Sequence, residues 1–132
     1  MFRSVDFNKD KGMPLNVPKG YYLYVTASTM ASYLIHFTIR GIEGGKVYFN
    51  EQRSCLSPLP PLSAFFQSDC GDMELTISIP QSKQIDARVN TEDLTDEKGE
   101  LIIRMVNVLG EDWTDKDYND FMVTVYIMKS RV

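Results

Sequence analysis

Residues 73–79 read MELTISI. Successive side chains of an extended chain point to opposite faces, so Met73, Leu75, Ile77 and Ile79 share one side while Glu74, Thr76 and Ser78 share the other. A period of two in apolar and β-branched residues is the mark of a half-buried strand. The same alternation recurs on either side of it. Residues 21–28 (YYLYVTAS) set Tyr21, Leu23, Val25 and Ala27 against Tyr22, Tyr24, Thr26 and Ser28. Residues 33–40 (YLIHFTIR) set Tyr33, Ile35, Phe37 and Ile39 against Leu34, His36, Thr38 and Arg40. Segments 46–50, 100–106 and 121–128 continue the pattern, the last through Phe121, Val123, Val125 and Ile127.

Between these runs lie Pro14, Pro18 with Gly20, Gly41 with Gly44 and Gly45, Gly71 with Asp72, Pro80 and Gly99, all residues that reverse a chain. No amphipathic helix of ten or more residues interrupts them. Short strands joined by turns predict an all-β fold, an antiparallel sandwich or barrel. Residues 56–66 (LSPLPPLSAFF) read as a proline-rich connection crossing from one sheet to the other, and residues 90–100 (NTEDLTDEKGE) as a charged, hairpin-like loop.

A chain of 132 residues makes one domain, 1–132, with enough length to bury a core. Its net charge of −4, with scattered Lys and Arg, argues against a nucleic-acid partner, which requires clustered positive charge. No apolar run is long enough to span a bilayer, so no membrane insertion is expected. The start, MFRSVDFNKDKG, has no apolar core of a Sec-type signal, which leaves a cytoplasmic location and release by another route both open. Cys55 and Cys70 are either two thiols or a single disulfide, and neither has the spacing of a zinc site. His36 is the sole histidine, so a nucleophile–histidine pairing has little to stand on and no enzyme is expected.

The chemistry concentrates in residues 110–120, GEDWTDKDYND. Glu111, Asp112, Asp115, Asp117 and Asp120 are carboxylates, Asn119 adds a carbonyl, and Lys116 is the one cation among them. So many negative charges on a short loop repel one another unless a counter-charge is supplied. Calcium supplies it, since it takes six to eight oxygen ligands. Asp115, Asp117 and Asn119 alternate so that a curved backbone presents every second side chain to one point. An EF-hand starts in the same way, but Asp120 stands where that loop needs glycine and Tyr126 where it needs the bidentate Glu. The missing bidentate oxygens could come from upstream, at Glu111, so the residues point to a β-type calcium site around Asp115, Asp117 and Asn119. The bland alternative is an acidic turn that merely solvates the end of a hairpin.

The string from Glu111 to Asp120, followed by FMVTVYIM, resembles the calcium-mediated lectins of bacteria that bind fucose and mannose. The stretch LNVPKGYYLYVTAS (15–28) is similar to the first hairpin of that family, while residues from about 30 to 100 carry no match. The resemblance implies an antiparallel β-sandwich of about nine strands, Greek-key type, holding two calcium ions. Glu111, Asp115, Asp117 and Asp120 would hold one ion, and Asp117, Asn119 and Asp120 would share in the second. Sugar hydroxyls would complete both shells, with Asp112, Asp115, Asp117 and Asp120 at the sugar. Trp113 would either stack on the sugar's apolar face or pack over the loop. A second-ion asparagine of the family falls on Met30 here, and the family's terminal glycine is replaced by Val132. Two functions follow: a calcium-dependent, non-enzymatic carbohydrate-binding protein assembled as a homodimer or larger, or a calcium-stabilised interaction module without sugar.

Overall fold

The computed structural model describes residues 1–8, 11–31, 33–54, 61–69, 71–81, 84–111 and 120–130. Its elements are ten strands: β1 (Arg3–Val5), β2 (Met13–Pro14), β3 (Tyr22–Thr29), β4 (Ile35–Gly41), β5 (Val47–Arg53), β6 (Leu62–Gln67), β7 (Met73–Ser78), β8 (Asp86–Thr95), β9 (Leu101–Glu111) and β10 (Phe121–Met128). They form a six-stranded sheet in the order β1-β8-β9-β10-β3-β6 and a four-stranded sheet in the order β2-β7-β4-β5. Every pairing is antiparallel. Of the sandwich or barrel expected from the alternation, the observed architecture is the sandwich, as the resemblance implied.

The alternation explains which side chains meet between the sheets. From the six-stranded sheet, Leu23, Val25, Ala27, Ala87, Val89, Val106, Val108, Phe121, Val123, Val125 and Ile127 face inward; Ile35, Phe37, Ile39, Met73, Leu75 and Ile77 meet them from the other side. Phe37 and Phe121 touch edge to face at 6.4 Å across this layer. Each fully buried side chain of this size contributes about 1.5–3 kcal/mol of hydrophobic stabilisation.

Four strands are additions to the sequence reading, which brings the count to ten rather than about nine. β1 and β2 are too short to show a period. The other two correct earlier assignments. β6 lies within the proline-rich stretch taken as connection, although the chain does change sheets between β5 and β6 as expected. β8 occupies the first half of the supposed charged loop: Asn90–Thr95 continue its ladder with β9, and the turn is confined to residues after Thr95. Residues 15–28 also depart from the expected hairpin, because β3 is the one strand they contribute to and it pairs with β10 and β6. Cys55 and Cys70 lie outside the described residues.

Candidate functional site

Three strand ends converge where the acidic segment begins and finishes. β9 ends at Glu111 and β10 starts at Phe121, so the two strands carry the two ends of the segment. Their register sets Phe121 opposite Gly110 on one side and Thr29 on the other. Beyond that row the Met30 amide donates to the Asp120 carbonyl at 3.0 Å, tying the end of β3 to the last residue of the segment. On the far side of β9, Asp86 at the start of β8 is the ladder partner of Glu111.

Gly110 is needed at this junction. The Phe121 ring lies across the ladder on top of it, and a Cβ at position 110 would stand 1.9 Å from Phe121 Cζ. The ring itself is fully buried. The acidic segment is thus mounted on a rigid base, with an aromatic ring locked over a glycine immediately below its first and last residues. Thr29, in the same row, is 3% exposed, and its hydroxyl oxygen has no hydrogen-bond partner among the described residues.

Of the residues expected to hold metal, the structure describes Glu111 and Asp120. Glu111 is 0% exposed, the most deeply buried acidic residue described. Asp120 is half-buried beside it in sequence register, one step before Phe121. Asp112, Trp113, Asp115, Asp117 and Asn119 fall at positions 112–119, outside the described residues. Among the described residues, no group of three or more His, Cys, Asp and Glu side chains is placed to hold a metal ion. Burying a carboxylate carries a desolvation cost that pairing or metal coordination must offset. In sequence Glu111 opens a segment of carboxylate and carbonyl oxygens, the donor type that a hard divalent cation takes.

Sequence reasoning overlooked Asp86, and the signal was present. Ile85, Ala87 and Val89 alternate with Asp86, Arg88 and Asn90 as cleanly as in the strands that were recognised. Asp86 accepts a hydrogen bond from the Arg88 guanidinium, which places a cation two residues from the ladder partner of Glu111. His36 lies on the opposite sheet and shares a hydrogen bond with Asn50 Oδ1, as expected of a structurally satisfied residue. Tyr22 stacks on Phe65 and Tyr24 on Tyr126, and the Tyr21 hydroxyl donates to the Leu101 carbonyl at 2.5 Å, so the tyrosine cluster is engaged in packing.

No protein-family model matches this chain, and no curated protein matches it. Solved structures do. The C-terminal domain of the BC2L-C lectin from Burkholderia cenocepacia superposes with a TM-score of 0.64 at 18% identity, covering 88% of this chain and 95% of that one. The Chromobacterium violaceum lectin CV2L, solved in complex with alpha-methyl-fucoside, gives 0.63 at 16% identity over 88% of this chain and 96% of that one. The high-affinity mannose-binding lectin of Ralstonia solanacearum gives 0.63 at 18% identity over 86% and 93%. The fold is that of these bacterial lectins. The resemblance drawn from Glu111–Asp120 and from residues 15–28 thus leads to the right fold, and the lectin fold extends through the middle of the chain, where the sequence carried no match.

Proposed function

We propose that this protein is a calcium-dependent, non-enzymatic carbohydrate-binding protein that takes sugars of the fucose or mannose type. The observation that carries the reading is a coincidence of place. The carboxylate-rich segment sits between β9 and β10 of a sandwich shared with bacterial lectins, and it starts on a fully buried Glu111. Glu111, Asp115, Asp117, Asn119 and Asp120 would hold the metal. Calcium, when bound, supplies a hard Lewis-acidic centre that accepts neutral hydroxyl oxygens in place of water. Asp112, Asp115, Asp117 and Asp120 would accept hydrogen bonds from the sugar, and Trp113 offers an apolar ring to its less polar face. Assembly into a homodimer or larger species belongs to the same reading, because several linked sites raise avidity for a glycan-bearing surface.

Calorimetric titration with fucose and mannose at millimolar calcium, repeated in chelator, tests this. Sugar heat that disappears in chelator is expected; sugar heat that persists unchanged in chelator, or none in either, overturns it.

One feature favours a second reading, a calcium-stabilised module with no sugar. Met30, which stands where the resemblance needs a second-ion asparagine, is bonded through its backbone to Asp120 and is 62% exposed. A thioether is a poor ligand for a hard ion. A calcium-induced rise in melting temperature without any sugar heat selects this reading.

A further inference from the structure

The two sheets are unequal, and the smaller one leaves part of the larger bare on its inner side. Ala87, Val89, Thr91 and Asp93 share the inward face of β8. Ala87 and Val89 are buried, whereas Thr91 and Asp93 are exposed. Cover runs out there because β2, across the gap from them, is only two residues long. The result is a cleft of about 370 Å³ between the β8–β9 hairpin and residues 13–16, a size that suits a small molecule. Its floor is apolar, built from the buried Met13, Leu15 and Val106. Its rim is polar, with Arg3, Asn16 and Thr91 beside the Asp93–Arg104 pair.

The charges lining the cleft do not cancel. Arg104 is matched, since its guanidinium donates to both oxygens of Asp93 and to the Asn16 carbonyl. Arg3 pairs in register with the buried Val89 and so lies on the same inward face. Its side chain makes no hydrogen bond or ion pair among the described residues, and neither do the Thr91 hydroxyl and the Asn16 amide. Two cations against one carboxylate leave one positive charge, in a chain whose net charge is −4. Attraction of an anion is therefore local to this cleft. The rim is also preformed. Asn16 has a φ of 57°, in the left-handed region that asparagine tolerates better than most residues. Its carbonyl is held by Arg104 at 2.8 Å, and the next amide, that of Val17, donates to Asp72 Oδ1 at 2.8 Å.

We propose that this cleft is a second binding site, distinct from the acidic segment, that takes a small molecule bearing a single carboxylate. The Arg3 guanidinium holds the carboxylate, because its fork of N–H groups matches two oxygens in one plane. Thr91 and Asn16 meet hydroxyls, and the apolar floor receives a C–H face. A monocarboxylate brings the cleft to neutrality, whereas a phosphate dianion would bring a second negative charge toward Asp93. A hexuronic acid combines one carboxylate, several hydroxyls and an apolar ring face, and is the ligand class that fits. Thr91 stands five residues along β8 from Asp86, about 17 Å of strand, so the site rests on neither calcium nor the sugar reading. An inward charge on an edge strand also discourages pairing with another chain, but that role needs neither a recess nor a preformed rim.

Amide NMR of the whole chain, titrated with sodium glucuronate in chelator at fixed ionic strength, tests the proposal. The amides of Asn16, Thr91 and Val106 should shift together and saturate, with a dissociation constant on the order of 1 mM for so small a ligand. Glucose, which keeps the ring and lacks the carboxylate, should bind at least tenfold more weakly. Arg3→Gln should lose at least tenfold in glucuronate affinity, Arg3→Lys less, and Thr91→Val about threefold. Amide spectra that match wild type away from the cleft confirm that each variant is folded. Absence of saturable shifts up to about 50 mM glucuronate overturns the proposal. Shifts centred on other residues, or full affinity in Arg3→Gln, overturn it equally. Glucose or inorganic phosphate binding as tightly as glucuronate overturns the choice of a monocarboxylate. Because every titration is run in chelator, failure of the calcium-dependent sugar reading leaves the outcome unaffected.

Discussion

The β8–β9 hairpin carries carboxylates on the ladder at both ends, and the two ends are built differently. At the turn end, Asp93 faces Arg104, whose guanidinium donates to both of its oxygens at 2.8 and 2.9 Å and to the Asn16 carbonyl at 2.8 Å. The clasp is complete within the chain. At the other end Asp86 faces Glu111, and from Glu111 onward the sequence supplies five carboxylates through Asp120 against the single cation Lys116. The fold closes one end with an arginine from the facing strand; at the other Arg88 pairs with Asp86, and the acidic segment that follows Glu111 is where we propose a cation from solution. A bidentate arginine pair needs only two residues in register, whereas a many-oxygen site needs a loop dense in acids, which is costly to hold together until an ion arrives.

The largest expected effect breaks or confirms that contrast directly. If the proposed site holds calcium, the ion at about a thousand times its dissociation constant should stabilise the folded chain by about 4 kcal/mol. In a domain of this size that raises the melting temperature on the order of 12 °C. Scanning calorimetry in millimolar calcium and in chelator measures it. Glu111→Ala should abolish most of the rise, and Asp120→Asn should reduce it. Identical melting curves with and without calcium would remove the distinction between the two ends.

A somewhat smaller effect concerns the base on which the acidic end is mounted. Gly110→Val drives a side chain into the Phe121 ring, where even a Cβ would stand 1.9 Å from Cζ. Overpacking of this kind should cost about 3 kcal/mol in denaturant unfolding. Phe121→Leu in the same chain vacates part of the space, so the double variant should lose less than the sum of the two single changes. Simple additivity would show that the ring does not lock the junction.

Sequence legibility divides along similar lines. Strands buried on one face through a full alternation, such as β3, β4, β7 and β10, were readable because period two and apolar character coincide. β6 escaped because Pro58, Pro60 and Pro61 just before it suggested a connection, and as an edge strand it shows only a shallow alternation of half-buried and exposed residues. The outer half of β8 escaped because Glu92, Asp93 and Thr95 point into solvent beyond the sandwich, where no core imposes a pattern. At the site, the acidic residues were legible as a donor set. Their mounting was not: that Gly110 sits under Phe121, and that Asp86 faces Glu111, are facts of register between distant segments.

At the turn end, Arg104→Met should keep the length of the side chain and remove the clasp. The Arg104 side chain is 18% exposed, so its loss strips Asp93 and the Asn16 carbonyl of a charged donor in a partly dry setting. A cost of about 1–2 kcal/mol in denaturant unfolding is expected. The calcium-induced rise in melting temperature should be unchanged. If Arg104→Met also weakens calcium binding, the two ends are coupled through the hairpin rather than independent.

The smallest effect is the pH dependence of the same pair, and its sign follows from the direction of the shift. The hydrogen bonds from Arg104 hold the Asp93 carboxyl below its ordinary value of 3.8. In the unfolded chain Asp93 binds a proton at higher pH than it does when folded, so the pair's contribution is fully present above about pH 4 and is lost as pH falls through the depressed folded value. Asp93 is 38% exposed, and solvent screening limits the contribution to less than about 1 kcal/mol. Stability of wild type minus that of Arg104→Met, measured by urea unfolding in chelator at steps from neutral pH downward, should therefore shrink on acidification. It should shrink also with added salt, because the carboxylate lies within reach of screening ions. A difference that stays constant as the pH falls would mean that Arg104 acts chiefly through the Asn16 carbonyl, which does not titrate, and that the turn end is pinned by backbone rather than by charge.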